Sequence, residues 1–309
     1  MVSPNLFLHE IPAPGNATEI IHKGRRECID VITQKDDRLL VIVGPSAIHD
    51  TKAALDYSDR LRALSDELKD DLLILMRAYV ENARTTAEWK GLVYDPDLDE
   101  NFNVNKGLRL ARELFKDITE RGLPIATGMN LDIIIPNFLG DLICIGCVGK
   151  TGTESEPHRA LASGLPFPVG FQNGTGDVLH VALDAIKDIH RPHQFLGMDG
   201  SGLICSNITP GNEHGFAIWT GYYDEETFTQ IMATVEQAQL PGRLMIDCTN
   251  ADGRNHHRHQ LEVLKSLSEQ ISKGQTGLLG VMILSDLHEG VFFSTSNSTR
   301  LIISGQETK

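Results

Sequence analysis

Eight short apolar runs, separated by amphipathic stretches, constrain the fold of this chain more than any other feature. They read LLVIVGP (39–45), LLILMRAYV (72–80), PIATGM (124–129), LICIGCVG (142–149), PVGFQN (168–173), QFLGMD (194–199), RLMIDCT (243–249) and LLGVMILS (278–285). Between them lie helical patterns such as AALDYSDRLRALSDELK (53–69) and GLRLARELFKDITERG (107–122), the latter closed by the glycine that helix C-termini favour. This alternation is what βα units with a parallel sheet produce, and eight units predict an α/β fold of the (β/α)8 TIM-barrel type. Two stretches stand outside the count. Residues 1–38 form an N-terminal extension before the barrel (39–309), and GLICSNITPGNEHGFAIWTG (202–221) has a central Pro-Gly that predicts an inserted β-hairpin.

Composition narrows the function classes. A chain of 309 residues with 41% hydrophobic residues suits one large domain with a substantial core. Lys plus Arg number 28 against 42 Asp plus Glu, a formal net charge of −14, and no basic run is long enough to track a phosphate backbone. Nucleic acid and anionic membrane are therefore excluded as expected partners, and a small-molecule substrate is the partner left. The start, MVSPNLFLHEIPAPGN, has no cationic lead or sustained apolar core, and no later run reaches the roughly 18 apolar residues a bilayer span needs, so a cytoplasmic chain is expected. Five scattered cysteines make no disulfide framework and point to a reducing compartment. Cys144 and Cys147 spell C-x-x-C inside an apolar run, where residues three apart on a strand face opposite sides, so the pair reads as structural rather than redox or zinc-binding.

In a barrel, side chains at the carboxyl ends of the strands point into the mouth where such enzymes work. That rule gathers Ser46, Arg77, Asn82, Arg84, Lys150, Gln172, Asp199, Asn250 and Asp286. Taken singly each is a polar rim residue; their convergence makes a candidate site.

The stretches GRRECIDVITQKDDRLLVIVGPSAIHD, MRAYVENARTTAEWKGLVYDPD, TESEPHRALASGLPFPVGFQNGT and GNEHGFAIWTG resemble type I 3-deoxy-D-arabino-heptulosonate 7-phosphate (DAHP) synthase, particularly its fungal feedback-regulated members, over about residues 20 to 290. The resemblance implies a (β/α)8 barrel with an amino-terminal extension and an inserted hairpin. It also implies a homo-oligomer, dimer or tetramer, and condensation of phosphoenolpyruvate with erythrose 4-phosphate on a divalent metal, the first step of the shikimate pathway.

Residue by residue, the carry-over departs from the family pattern. Ser46 stands where the resemblance implies a metal-binding Cys, Asn250 where it implies a His, and Leu284 where it implies a Glu; the segment VFFSTSNSTRLIISGQETK matches the region of the fourth ligand, an Asp, poorly, so the carboxyl-terminal barrel segment reads as shortened. A hydroxyl is a far poorer ligand than a thiolate, so no metal and no other cofactor is expected. The active-site Lys is Asn82, beside retained Arg84, Thr85 and Thr86. In the phosphoenolpyruvate phosphate cradle an Ala-Arg pair is Lys150-Thr151, a Lys is Gln172 and an Arg is Thr220, while Arg77 remains. Each lost cation removes charge-assisted hydrogen bonds worth roughly 1.5–3 kcal/mol.

On these residues two readings stay open. One is a neofunctionalised, metal-independent enzyme of cyclase, aldolase or lyase type, acting on a less charged and more apolar substrate of a specialised (secondary) pathway. Trp219, Leu284 and Ala83 favour such a pocket. The other is a non-catalytic paralogue, a pseudoenzyme that binds a small molecule or an active synthase subunit and regulates it. For the first, the candidate catalytic residues are Lys150, Arg77, Asp247, Asp286 and Glu289, with His288 beside them. The candidate substrate-binding residues are Ser46, Asn82, Arg84, Thr85, Gln172, Trp219, Asn250 and Leu284. Lys150 could form a Schiff base or polarise a carbonyl, and SDLHEG (285–290) could supply an acid–base pair. NHHRHQ (255–260) lacks a carboxylate or thiolate pattern and reads as a solvated helix start.

Overall fold

The computed structural model describes residues 2–13, 15–82, 89–130, 135–221, 223–238, 243–249, 257–288, 290–294 and 301–305. Two helices precede the first strand: α1 (Pro4–Glu10) and α2 (Gly15–Ile32). Buried positions Ala17, Ile21, Gly24, Cys28, Val31 and Ile32 make one apolar stripe on α2 at helical spacing. Along that stripe Gly24 meets Cys144 and Pro124 closely, and near the other end the Val31 carbonyl accepts from Arg243. Those partners lie just ahead of barrel strands, so α2 crosses the amino-terminal opening of the barrel. Arg25 fastens it there, donating to the carbonyls of Ile143 at 2.8 Å and Gly140 at 2.7 Å.

The chain then runs β1 (Leu39–Gly44), α3 (Thr51–Glu67), β2 (Leu72–Arg77), α4 (Val104–Glu120), β3 (Ile125–Gly128), two short turns (Ile135–Leu139 and Gly140–Leu142) and β4 (Ile145–Val148). It continues through α5 (Lys150–Thr153), α6 (Glu156–Ala162), β5 (Val169–Gln172), α7 (Leu179–Ile189), β6 (Gln194–Met198), β7 (Ile204–Ile208) and β8 (Gly215–Trp219). The last elements are α8 (Glu225–Gln237), β9 (Leu244–Asp247), α9 (His257–Ser272), β10 (Leu278–Leu284), β11 (Gly290–Ser294) and β12 (Leu301–Gly305). Strands β1, β2, β3, β4, β5, β8, β9 and β10 close in that order into a parallel barrel, with β1 sealing the seam by pairing Val41 with both Ile74 and Val281. The expected (β/α)8 barrel is the fold of this chain. Beyond β10, the antiparallel pair β11–β12 follows the barrel.

The sixth barrel strand corrects the sequence reading. QFLGMD (194–199) is not a barrel strand: it supplies β6, which pairs antiparallel with β7 as a hairpin over Gln194–Ile208. The stretch 202–221, expected to be the hairpin, instead supplies β7 and then β8, the true barrel strand between β5 and β9. The hairpin turn is Asp199–Leu203, where the Asp199 carboxylate accepts from the backbone N–H of Ser201 and of Leu203, each at 2.9 Å, and Gly202 takes a φ of +85°. Pro210 and Gly211 lie after β7, in the connection to the barrel. The physical difference is burial: β8 is buried at all five residues, whereas β6 and β7 alternate with one face open to solvent. Asp199 is thus a hairpin-turn residue, not a mouth residue.

Arg112 on α4 joins the extension to the barrel. It is 1% exposed, forms a two-pronged pair with Asp141 at 2.8 Å and donates to the carbonyls of Phe138 and Ile11 at 2.8 and 2.6 Å. A guanidinium is buried at low cost only when its donors are occupied in this way. No helix among the described residues is long and apolar enough to cross a membrane.

Candidate active site at the barrel mouth

The stretch VIVGPSAIHD, at the end of β1, begins the site. Gly44 sits so close to β2 that a Cβ there would lie 2.5 Å from the Arg77 carbonyl oxygen. The chain then turns at Pro45, and the carbonyls of Pro45 and Ser46 both accept from Nη1 of Arg77, the latter at 2.7 Å. Asp50 caps α3 by accepting from the N–H groups of Lys52 and Ala53 at 2.8 and 3.1 Å. His49 packs edge-on against Trp89, and burial lowers its pKa. The strand ends as it does to plant Arg77 and to start a helix.

Two residues on, and so on the same side of the chain, Tyr79 lies under Arg77, with the guanidinium carbon 3.6 Å from the ring centroid. The Tyr79 hydroxyl meets the Cys147 thiol on β4, and burial pushes the pKa of that thiol up to about 11. Cys144, ahead of the same strand, turns the other way and reaches the Ile21 carbonyl on α2. All five cysteines are free.

A second network joins the ends of β4, β5, β8 and β9. Asp247, 6% exposed, accepts from Gln172 Nε2 at 3.2 Å, Thr220 Oγ1 at 3.1 Å and the Thr249 N–H at 3.1 Å. Three donors on one carboxylate offset its loss of water. The Thr220 N–H donates to Asn173 at 2.7 Å, Asn173 donates to Asp177 at 3.2 Å, and Lys150 Nζ pairs with the same Asp177 oxygen at 2.7 Å. The structure thus brings Lys150, Gln172 and Asp247 into one network and Arg77 and Ser46 into the other, while Trp219 closes β8 at 7% exposure.

Other expected residues lie elsewhere. Asp286 sits beside Tyr57 of α3, whose hydroxyl pKa it helps raise to about 12 after the larger effect of burial. His288, two residues on, is exposed. Leu284 is held through its main chain, its N–H donating to Gln260 at 2.9 Å and its carbonyl accepting from Gln260 at 3.1 Å. Asn82 donates through Nδ2 to the Trp89 carbonyl at 3.0 Å. Ala83, Arg84, Thr85, Thr86, Asn250 and Glu289 lie outside the described residues, as does the start of NHHRHQ; from His257 that stretch opens α9.

Sequence reasoning missed Tyr79, Asn173 and Asp177. Tyr79 had a usable signal, its spacing of two from Arg77. Asp177 had none, because it reaches Lys150 from a different loop.

Among the described residues no three His, Cys, Asp or Glu side chains gather in a way that could hold a metal ion. Ser46 offers a hydroxyl, Leu284 no donor, and Asp247 is already engaged by three hydrogen bonds. Asn250, a further position where the resemblance implies a ligand, lies outside the described residues, and no chemical step is assigned to a metal ion.

Comparison with known proteins places this geometry. A family model described as "DAHP synthetase I family" matches residues 14–307. A phospho-2-dehydro-3-deoxyheptonate aldolase of Alternaria alternata is 45% identical over 94% of this chain and 79% of its own length. The tyrosine-inhibited enzyme of that name from Candida albicans is 44% identical over 94% and 80%. The Phe-sensitive one from Escherichia coli is 41% identical over 94% and 84%. The solved structure of phospho-2-dehydro-3-deoxyheptonate aldolase from Francisella tularensis superposes with a TM-score of 0.92 at 38% identity, covering 99% of this chain and 91% of that one. Likeness of this extent to proteins so named overturns both readings in which synthase activity has been lost. The neofunctionalised enzyme of a specialised pathway with non-family chemistry, and the non-catalytic regulatory pseudoenzyme, are both set aside.

Proposed function

The chain belongs to the DAHP synthetase I family, and from that premise we propose that its barrel mouth carries out the reaction of its relatives, joining phosphoenolpyruvate to erythrose 4-phosphate with uptake of water and release of inorganic phosphate. The observation that supports this most is the mouth itself: two hydrogen-bonded networks occupy the carboxyl ends of β1, β2, β4, β5, β8 and β9, as barrel catalysis requires. Arg77 holds the phosphorylated substrate through the guanidinium edges not used on Pro45 and Ser46. Lys150 supplies the second cation, exchanging Asp177 for the incoming anion. Gln172 orients the substrate through the amide hydrogen not used on Asp247, Thr220 holds Asp247 in place, and Asp247 accepts a proton from the attacking water. Ser46 and Trp219 stand beside these groups at the ends of β1 and β8.

The finer part of the proposal is that this member works with a changed donor set. Ser46, Asn250 and Leu284 stand where the resemblance implies metal ligands, and Asn82 where it implies a Lys. A host lacking its own DAHP synthases, grown without aromatic amino acids, tests the activity. The proposal expects growth with the parent gene and none with Arg77→Ala at equal soluble protein. No growth with abundant soluble parent protein would overturn it.

We also propose that the protein is a homo-oligomer and that the open face of the β6–β7 hairpin is where copies meet. Leu196, Ile204 and Ile208 are 79%, 84% and 76% exposed there, a bare aliphatic face of the kind that interfaces cover.

A further inference from the structure

Glu81 follows β2 by four residues and immediately precedes Asn82. It is 4% exposed, and among the described residues neither carboxyl oxygen has a hydrogen-bond partner. The backbone N–H of Asn130, just past β3, favours the ionised form, but less than burial opposes it. Tyr94 feels its charge, which helps raise the Tyr94 hydroxyl pKa after the larger effect of burial. Burying an unpaired carboxylate costs more than burying the neutral acid, and burial pushes this group's pKa up to about 8.

The surrounding backbone explains what such a group can control. Val93 N–H donates to the Val80 carbonyl at 3.1 Å, Asn82 N–H donates to the Lys90 carbonyl at 2.9 Å, and the Asn82 side chain donates to the Trp89 carbonyl at 3.0 Å. Trp89 is anchored in turn by its indole N–H on the Asp95 carbonyl at 2.7 Å. Gly91 lets the two segments touch, since a Cβ there would lie 2.6 Å from Glu81 Cα. Glu81 is therefore enclosed by the clasp that fixes Asn82.

We propose that Glu81 is a positioning residue of the mouth: as a neutral acid it stays buried and keeps the 80–82 segment clasped to residues 89–95, and when it ionises it leaves for water and takes Asn82 out of position. The inference needs Asn82 to be a mouth residue but not any particular reaction. Its cost to the protein is a buried acid that Gln would replace without strain; its effect is a mouth whose shape depends on proton concentration.

Amide hydrogen exchange of the full chain, without substrate, tests this at Asn82 and Val93. After correction for intrinsic exchange, the opening constant in the parent protein should rise about tenfold per pH unit between roughly pH 5 and 8 and then level off, because only the open form ionises with an ordinary pKa. Glu81→Gln should hold that constant flat, and Glu81→Met, neutral and of similar reach, should do the same if the Gln variant folds poorly. A parent protein with no pH-dependent opening, or variants that retain the parent's slope, would overturn the proposal. Because no substrate is present, failure of the proposed synthase activity leaves the result readable.

Discussion

The guanidinium of Arg77 lies 3.6 Å above the ring of Tyr79 while one of its nitrogens is held by the carbonyls of Pro45 and Ser46. A cation fixed from below and from one side presents its remaining N–H groups in one direction only, which is what recognition of a phosphate or carboxylate needs.

From that arrangement, Tyr79→Leu should weaken phosphoenolpyruvate binding about 2- to 30-fold, the range that corresponds to a cation–π contact of roughly 0.5–2 kcal/mol. Tyr79→Phe keeps the ring and should retain most of the affinity. Calorimetric titration of the three proteins separates these outcomes; equal loss in both variants would assign the effect to the hydroxyl and Cys147 instead.

Asp247→Asn should destabilise the fold by about 1–3 kcal/mol, read as a shift in the denaturant midpoint at unchanged slope. An Asn oxygen can still accept from Gln172 and Thr220, but its amide then faces the N–H of Thr249, donor against donor.

How much of this was legible beforehand depended on whether the information was local. Seven of the eight barrel strands are continuous apolar runs, and their positions follow from pattern alone. The sixth failed because QFLGM and GFAIW have similar composition, and what distinguishes them, one open face against burial throughout, belongs to the tertiary structure. Arg77, Lys150, Gln172 and Asp247 were readable as strand-end residues, since a barrel sends such positions to its mouth. Their partners were not. Asp177 meets Lys150 across 27 positions and Thr220 meets Asp247 across another 27, separations that no local pattern records. Loss of synthase function could not be read from Ser46, Asn250 and Leu284 alone, because likeness along 94% of the chain outweighs single substitutions at ligand positions.

His49 gives the pH dependence of stability a definite sign. Its pKa is lowered by burial in the fold, so between its ordinary value and that lowered value the unfolded chain takes up a proton that the folded chain does not. Stability contributed by neutral His49 is complete above about pH 6.5 and falls as the pH drops below it. The difference in unfolding free energy between the parent and His49→Gln should therefore change below that pH and be constant above it.

The hairpin predicts an assembly effect confined to one face. Leu196→Lys combined with Ile204→Lys should lower the sedimentation coefficient relative to the parent while leaving the thermal midpoint of the barrel in place, because both side chains point to solvent within the chain. A parent protein that already sediments as a monomer would contradict the interface.

The account stands most directly on one measurement: product formation by the purified chain from phosphoenolpyruvate and erythrose 4-phosphate, followed by phosphate release and by the mass of the seven-carbon product, with chelator and with added manganese. The predicted result is product that depends on both substrates and disappears in Arg77→Ala. No product under either metal condition, from protein that is folded by circular dichroism, would contradict it.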